Sequence, residues 1–122
     1  MIKADIIMKR DMDLIRAILL TIEESEHDYA PKIEIPGYTQ EQIGYHAILL
    51  KEAGLIEATE VSTMGSQSPE AIIERLTWSG HKFMDAARDK TMWNQAKDKI
   101  GSATIQVWMS VLSALALKKL GL

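Results

Sequence analysis

Two segments constrain the fold of this chain more than the rest: IGYHAILLKEAGLI, from Ile43 to Ile56, and RLTWSGHKF, from Arg75 to Phe83. In the first, helical periodicity runs up to Ala53, and Gly54 then supplies the left-handed residue that ends a helix and lets the chain turn at once into an extended segment. Leu55 to Val61 reads as a strand. Ser62 to Pro69, STMGSQSP, is polar and turn-rich, and Ile72 to Leu76 returns as a second strand. Thr77 is a good N-cap for a helix from Trp78 to about Asp89, and Gly80 at its third position allows close packing on the hairpin. The expected order is helix, β-hairpin, helix.

Flanking segments add helices. Asp11 to Glu26 places Ile15, Ile18, Leu19 and Ile22 on one helical face, with Asp11 and Asp13 near the positive end of the dipole. Ile33 to Gly37, IEIPG, alternates between two prolines and suits a short edge strand. Thr39 begins the next helix, and Gln42 three residues on completes a capping-box pattern. From Ala103 to Leu120 the pattern is helical again, with only a narrow polar stripe of Gln106, Ser110 and Ser113. Such a helix must be buried centrally or against a partner. This makes Ile105, Trp108, Met109, Leu112 and Leu115 the candidate face of a homodimer. The apolar run from Ile105 to Leu117 falls short of the roughly twenty residues that cross a bilayer, so no membrane span is expected.

The fold expected from these elements is α+β and mostly helical. At 122 residues it is expected to form a single domain, with residues 8–90 as its core and residues 91–122 as a C-terminal helical extension. The absence of cysteine excludes disulfide frameworks and thiolate metal sites, and no basic segment leads into an apolar signal-peptide core. A cytoplasmic location is the expectation. Charge is unevenly spread: residues 1–38 carry 5 basic and 8 acidic groups, residues 39–76 carry 2 and 6, and residues 77–122 carry 7 and 3.

IGYHAILLKEAGLI resembles the recognition-helix segment of metalloregulator-type winged helices, with Ile43, Gly44, His46, Leu50, Ala53, Gly54 and Leu55 matching in register. RLTWSGHKF is similar to the Leu-Thr-x-x-Gly step that follows the wing in such regulators. More extensively, MKRDMDLIRAILLTIEE, YHAILLKEAGLIEA and LTWSGHKFMDAARDKTMWN resemble the small bacterial and phage proteins of domain-of-unknown-function family 2513. That resemblance covers nearly the whole chain from Met8 and implies a winged helix-turn-helix-like domain with a small antiparallel wing. Residues 1–7 precede it, which makes Met8 as well as Met1 a candidate initiator.

In the DNA-binding reading, a small bacterial or phage transcriptional regulator, the helix N-terminus enters a groove and the wing meets the backbone. Its candidate contacts are Thr39, Gln40, Gln42, Tyr45 and His46, with Ser66 and Gln67 at the wing tip. Against it, phosphate contacts come from Lys and Arg, and residues 39–76 offer only Lys51 and Arg75 beside six carboxylates. Lys82, Arg88, Lys90, Lys97 and Lys99 form the basic neighbourhood, interleaved with Asp85, Asp89 and Asp98. It reads as a solvated helix face or as the source of the missing phosphate contacts. The alternative function is a winged-helix protein-interaction module.

A histidine beside apolar neighbours is more often a hydrogen-bonded core residue than a base contact, which is the competing reading of His46. The apolar run Ala47 to Leu50 asks for a cover over Ile48 or Leu49, for which the C-terminal helix is the obvious candidate. Trp78, Trp93 and Trp108 are each expected to anchor a helix in the core. His27, His46 and His81 lack metal-ligand spacing, so no metal site or cofactor is expected, and the regulators' metal sensing is not carried over. No nucleophile elbow or phosphate loop appears, and the chain is not expected to be an enzyme.

Overall fold

A computed structural model describes residues 9–25, 33–61, 70–101 and 103–121. Its elements are α1 (Met12–Glu23), α2 (Gln40–Glu52), β1 (Ile56–Glu60), β2 (Ala71–Leu76), α3 (Trp78–Ala87), α4 (Lys90–Ile100) and α5 (Ile105–Lys119). The described residues thus form a mostly helical α+β structure of five helices and one two-stranded antiparallel sheet.

Each helix starts on a side chain that accepts a backbone N–H: Asp11, Thr39, Thr77, Asp89 and Thr104 cap α1 to α5 in turn. At α2 the full capping box is present, Thr39 with Gln42. Gly54 adopts φ +78° after the C-cap Ala53, which releases the chain straight into β1. In the sheet Ile56 pairs with Leu76 and Glu60 with Ala71, with a bulge at Glu57/Ala58. The bulge sets Ala58, Ile73 and Leu76 inward while Glu57, Thr59, Glu74 and Arg75 face out.

The core takes Leu14, Ile15, Ile18 and Leu19 from α1, Ala47 and Leu50 from α2, Phe83 and Met84 from α3, Trp93 and Ala96 from α4, and Trp108 and Leu112 from α5. Polar links fasten α1 to the C-terminal half. Arg16 donates from Nε to Ala87 O at 2.7 Å and from a terminal nitrogen to Arg88 O at 3.0 Å, satisfying carbonyls at the end of α3. Trp93 Nε1 and Lys97 Nζ donate to the two oxygens of Asp13 at 2.9 and 2.7 Å. Arg88 grips Glu23 through two nitrogens, and Arg10 reaches Ala103 O at 2.7 Å.

Several expectations need correction. Ile33 to Gly37 is not a strand. Pro36 and Gly37 form a turn closed by Tyr38 N–H donating to Ile35 O, and Gln40 Nε2 occupies Ile33 O at 3.0 Å, so the carbonyls are satisfied without a neighbouring strand. The first helix ends at Glu23, three residues early, where the Glu24 N–H reaches back to Leu20 and Ile22 carbonyls. The C-terminal helix does not cover α2: α5 packs on α3 and α4, and Ile48 and Leu49 stay half-exposed. Trp93 and Trp108 anchor their helices, with ring centroids 4.4 Å apart, but Trp78 is 79% exposed because its place at the first position of α3 points it away from the core.

Candidate functional site

The sequence candidates converge on the first turns of α2, and most of their polar groups are already spoken for there. Thr39 Oγ1 accepts from Gln42 N–H at 3.1 Å, and Gln42 Oε1 accepts from Thr39 N–H at 2.9 Å. Gln40 turns back to Ile33 O. Tyr45 is half-buried and meets the His46 ring edge-on, centroids 5.7 Å apart. These side chains build the entrance to the helix, and Thr39, Gln40 and Gln42 do so with atoms that a base contact would require.

His46 is 1% exposed, which removes it from any reading surface. Its Nδ1 lies 2.8 Å from Gln42 O, and its Nε2 accepts Asp11 N–H at 2.8 Å. Because a carbonyl can only accept and an amide N–H only donate, the ring is the neutral tautomer with its proton on Nδ1. Burial holds its pKa below the ordinary histidine value, against the opposing pull of the Gln42 carbonyl and the Asp11 carboxylate.

Asp11 is the centre of the arrangement. Its Oδ1 accepts Leu14 N–H at 3.2 Å as the cap of α1, and its Oδ2 accepts the Tyr38 hydroxyl at 2.9 Å. Burial first, and then the bond to Asp11, push the Tyr38 phenol up to about 12. Together Asp11, Tyr38, Gln42 and His46 line one side of an open cavity of about 350 Å³, with Lys97 and Arg10 on its other walls. Asp11 is conspicuous in the sequence for its place at a helix start, but its link to Tyr38 and His46 is not. No local pattern reveals it, since the partners are 27 and 35 residues away.

Ser66 and Gln67, expected at the wing tip, lie outside the described residues, as does the predicted turn Ser62 to Pro69. Of the expected dimer face, Ile105, Trp108 and Leu112 are buried in the chain's own core, and Met109 and Leu115 are half-buried against it. Within the chain α5 turns its largest side chains toward α3 and α4, leaving Val107, Leu117 and Leu120 outside. The basic neighbourhood is partly neutralised. Lys97 pairs with Asp13, Arg88 with Glu23 and Asp85, and Lys119 with Asp89, mostly between elements rather than along one helix. Lys82, Lys90 and Lys99 are exposed.

Among the described residues, no group of three or more His, Asp or Glu could hold a metal ion, and no helix is long and apolar enough to cross a membrane. No solved structure matches the chain. It is similar to an uncharacterized protein of Haemophilus influenzae (strain ATCC 51907 / DSM 11121 / KW20 / Rd), 36% identical over 111 residues that span 89% of this chain and 92% of the relative. The model of a family described as hypothetical protein, DUF2513, matches residues 9–106. With that match and that relative, the chain belongs to the DUF2513 family.

Proposed function

We propose that this chain is a winged-helix-type module that binds a protein partner rather than reading DNA through α2. The order α2, β1, β2, α3, with a left-handed glycine at Gly54 and a threonine cap at Thr77, supports the winged-helix assignment. The observation that carries the partner class is the commitment of Thr39, Gln40, Gln42 and His46 to internal hydrogen bonds. What the surface offers instead is apolar area: Trp78 at 79% and Ile72 at 56% exposure, the latter on a sheet face shared with Glu57 and Glu74. Exposed tryptophan is among the residue types enriched at protein interfaces, and the carboxylates beside Ile72 repel phosphate.

The deciding experiment is fluorescence anisotropy of labelled mixed-sequence duplex DNA titrated with the protein over a series of salt concentrations. The expected result is no saturable binding even at low salt, together with a discrete adduct in cells from a photo-crosslinking residue at position 78 and none from one at position 94. Binding that weakens steeply with salt replaces this reading with a DNA-binding regulator. That second reading has one observation in its favour, the exposed Lys82, Lys90 and Lys99 on α3 and α4. It then predicts that Lys82→Glu and Lys99→Glu weaken binding to all sequences alike.

A further inference from the structure

The His46 ring occupies a position where a single proton reverses the sign of a contact. Nε2 faces the Asp11 N–H at 2.8 Å and serves it only as a lone pair. A proton there sets two donors against each other in a site 1% exposed, with no room for an intervening water at that distance. Nδ1–H keeps its acceptor, Gln42 O, in either state. The charged and titratable groups near the ring are Asp11 and Arg10 at the start of α1, Tyr38 from the segment before α2, Tyr45 from α2 itself, and Lys9, Asp13 and, from α4, Lys97 on the shared cavity. The Asp11 carboxylate accepts Leu14 N–H on Oδ1 and the Tyr38 hydroxyl on Oδ2, two bonds that hold it in place as the cap of α1.

We propose that His46 is a proton-operated latch: neutral, it holds the Asp11 cap of α1 to α2, and protonated, it releases that cap while α2 and the core stay folded. Two features localise the release. The capping box of Thr39 and Gln42 holds the start of α2 independently of His46. Asp11, the cap of α1, also borders the open cavity it shares with Tyr38, Gln42 and His46, so its displacement widens an existing space, while Met12 and Leu14 behind it stay buried in the core. The device makes the width of that cavity, and the engagement of Asp11 and Tyr38 in it, a function of proton concentration.

The test is nitrogen-15 NMR of the full chain, following the imidazole nitrogens and amide exchange from about pH 7.5 to 5. The expected result is an unprotonated Nε2 at the upper end. As His46 titrates, protection of the Asp11 and Leu14 amides falls by roughly tenfold or more relative to Ile18 and Leu50. In His46→Gln that pH dependence disappears. Four outcomes overturn the proposal: a proton on Nε2 at the upper end, Asp11 protection unchanged as His46 titrates, simultaneous loss of protection at Asp11 and Leu50, or a His46 that stays neutral until the whole chain unfolds.

Discussion

Gly80 lies against the Leu55 carbonyl so closely that a Cβ built on it would stand 2.1 Å from the oxygen. The first turn of α3 is thereby seated on the exit from α2. Thr77 clasps the same corner, its N–H donating to Leu55 O at 3.0 Å and its hydroxyl to Gly54 O at 2.5 Å. Alanine favours helix interiors over glycine by about 1 kcal/mol, but the clash is with backbone that cannot rotate away. Gly80→Ala is therefore expected to destabilise the fold by about 1–3 kcal/mol. An unchanged midpoint in chemical denaturation would contradict this packing.

Trp93 ties α4 to α1 through Asp13 and stacks on Trp108. Trp93→Phe removes the indole N–H and part of the stack, and the expected cost is about 1–3 kcal/mol, with loss of the near-ultraviolet circular dichroism of the tryptophan pair. Retention of that signal together with wild-type stability would show that the two rings are not coupled.

Asp13 should shape the acid limb of the stability curve. Burial pushes its pKa up, but the bonds from Lys97 and Trp93 and the Lys97 and Arg16 charges together outweigh this and hold it below the ordinary value. A carboxyl depressed in the folded state binds fewer protons there than in the unfolded chain. Its contribution is present above the ordinary aspartate range and disappears as pH falls through the folded value. Asp13→Asn is expected to flatten that part of the curve, which urea titrations at several acid pH values would detect.

The capping box at α2 makes a separate prediction. Thr39→Ala should cost about 0.5–2 kcal/mol, and Gln42→Ala should cost less in its presence than alone, because each side chain supports the other's geometry. A double-mutant cycle with no coupling would mean the two bonds act independently.

Tyr38 provides the alkaline counterpart. Its phenol, raised to about 12, keeps its proton in the folded state over a range where the unfolded chain has lost it, so stability should fall as pH rises from the ordinary tyrosine value toward 12. Tyr38→Phe should remove the most alkaline step of the phenolate absorbance titration. Survival of that step in the variant would assign it to another tyrosine.

What the sequence revealed and what it concealed divide by range. Caps, the Gly54 exit, the strand pair and the close approach at Gly80 rest on residues within a few positions of one another, where steric and hydrogen-bond rules act directly. The strand expected at Ile33 to Gly37 failed because alternation does not say whether a partner strand exists. Trp78 was placed in the core by residue type alone, although its register on α3 turns it outward. On α5, a helix apolar on most sides gives no clue which side its own chain will use, and that side is the one with Ile105, Trp108 and Leu112. The cluster of Asp11, Tyr38 and His46 was hidden because its members are brought together only by the tertiary fold.

The bonds from α1 to the far half of the chain also bear on how the protein is made. Asp13 is synthesised 84 positions ahead of Lys97, and Arg10 93 positions ahead of its acceptor at Ala103. At translation rates of 5–20 residues per second, Asp13 is made roughly 4–17 s before Lys97 exists to pair with it. During that interval Ile15 and Ile18, completely covered in the finished molecule, have only early segments to shelter them. A nascent chain that stalls between α3 and α4 leaves Trp93 and Lys97 unmade and Asp13 without these two partners.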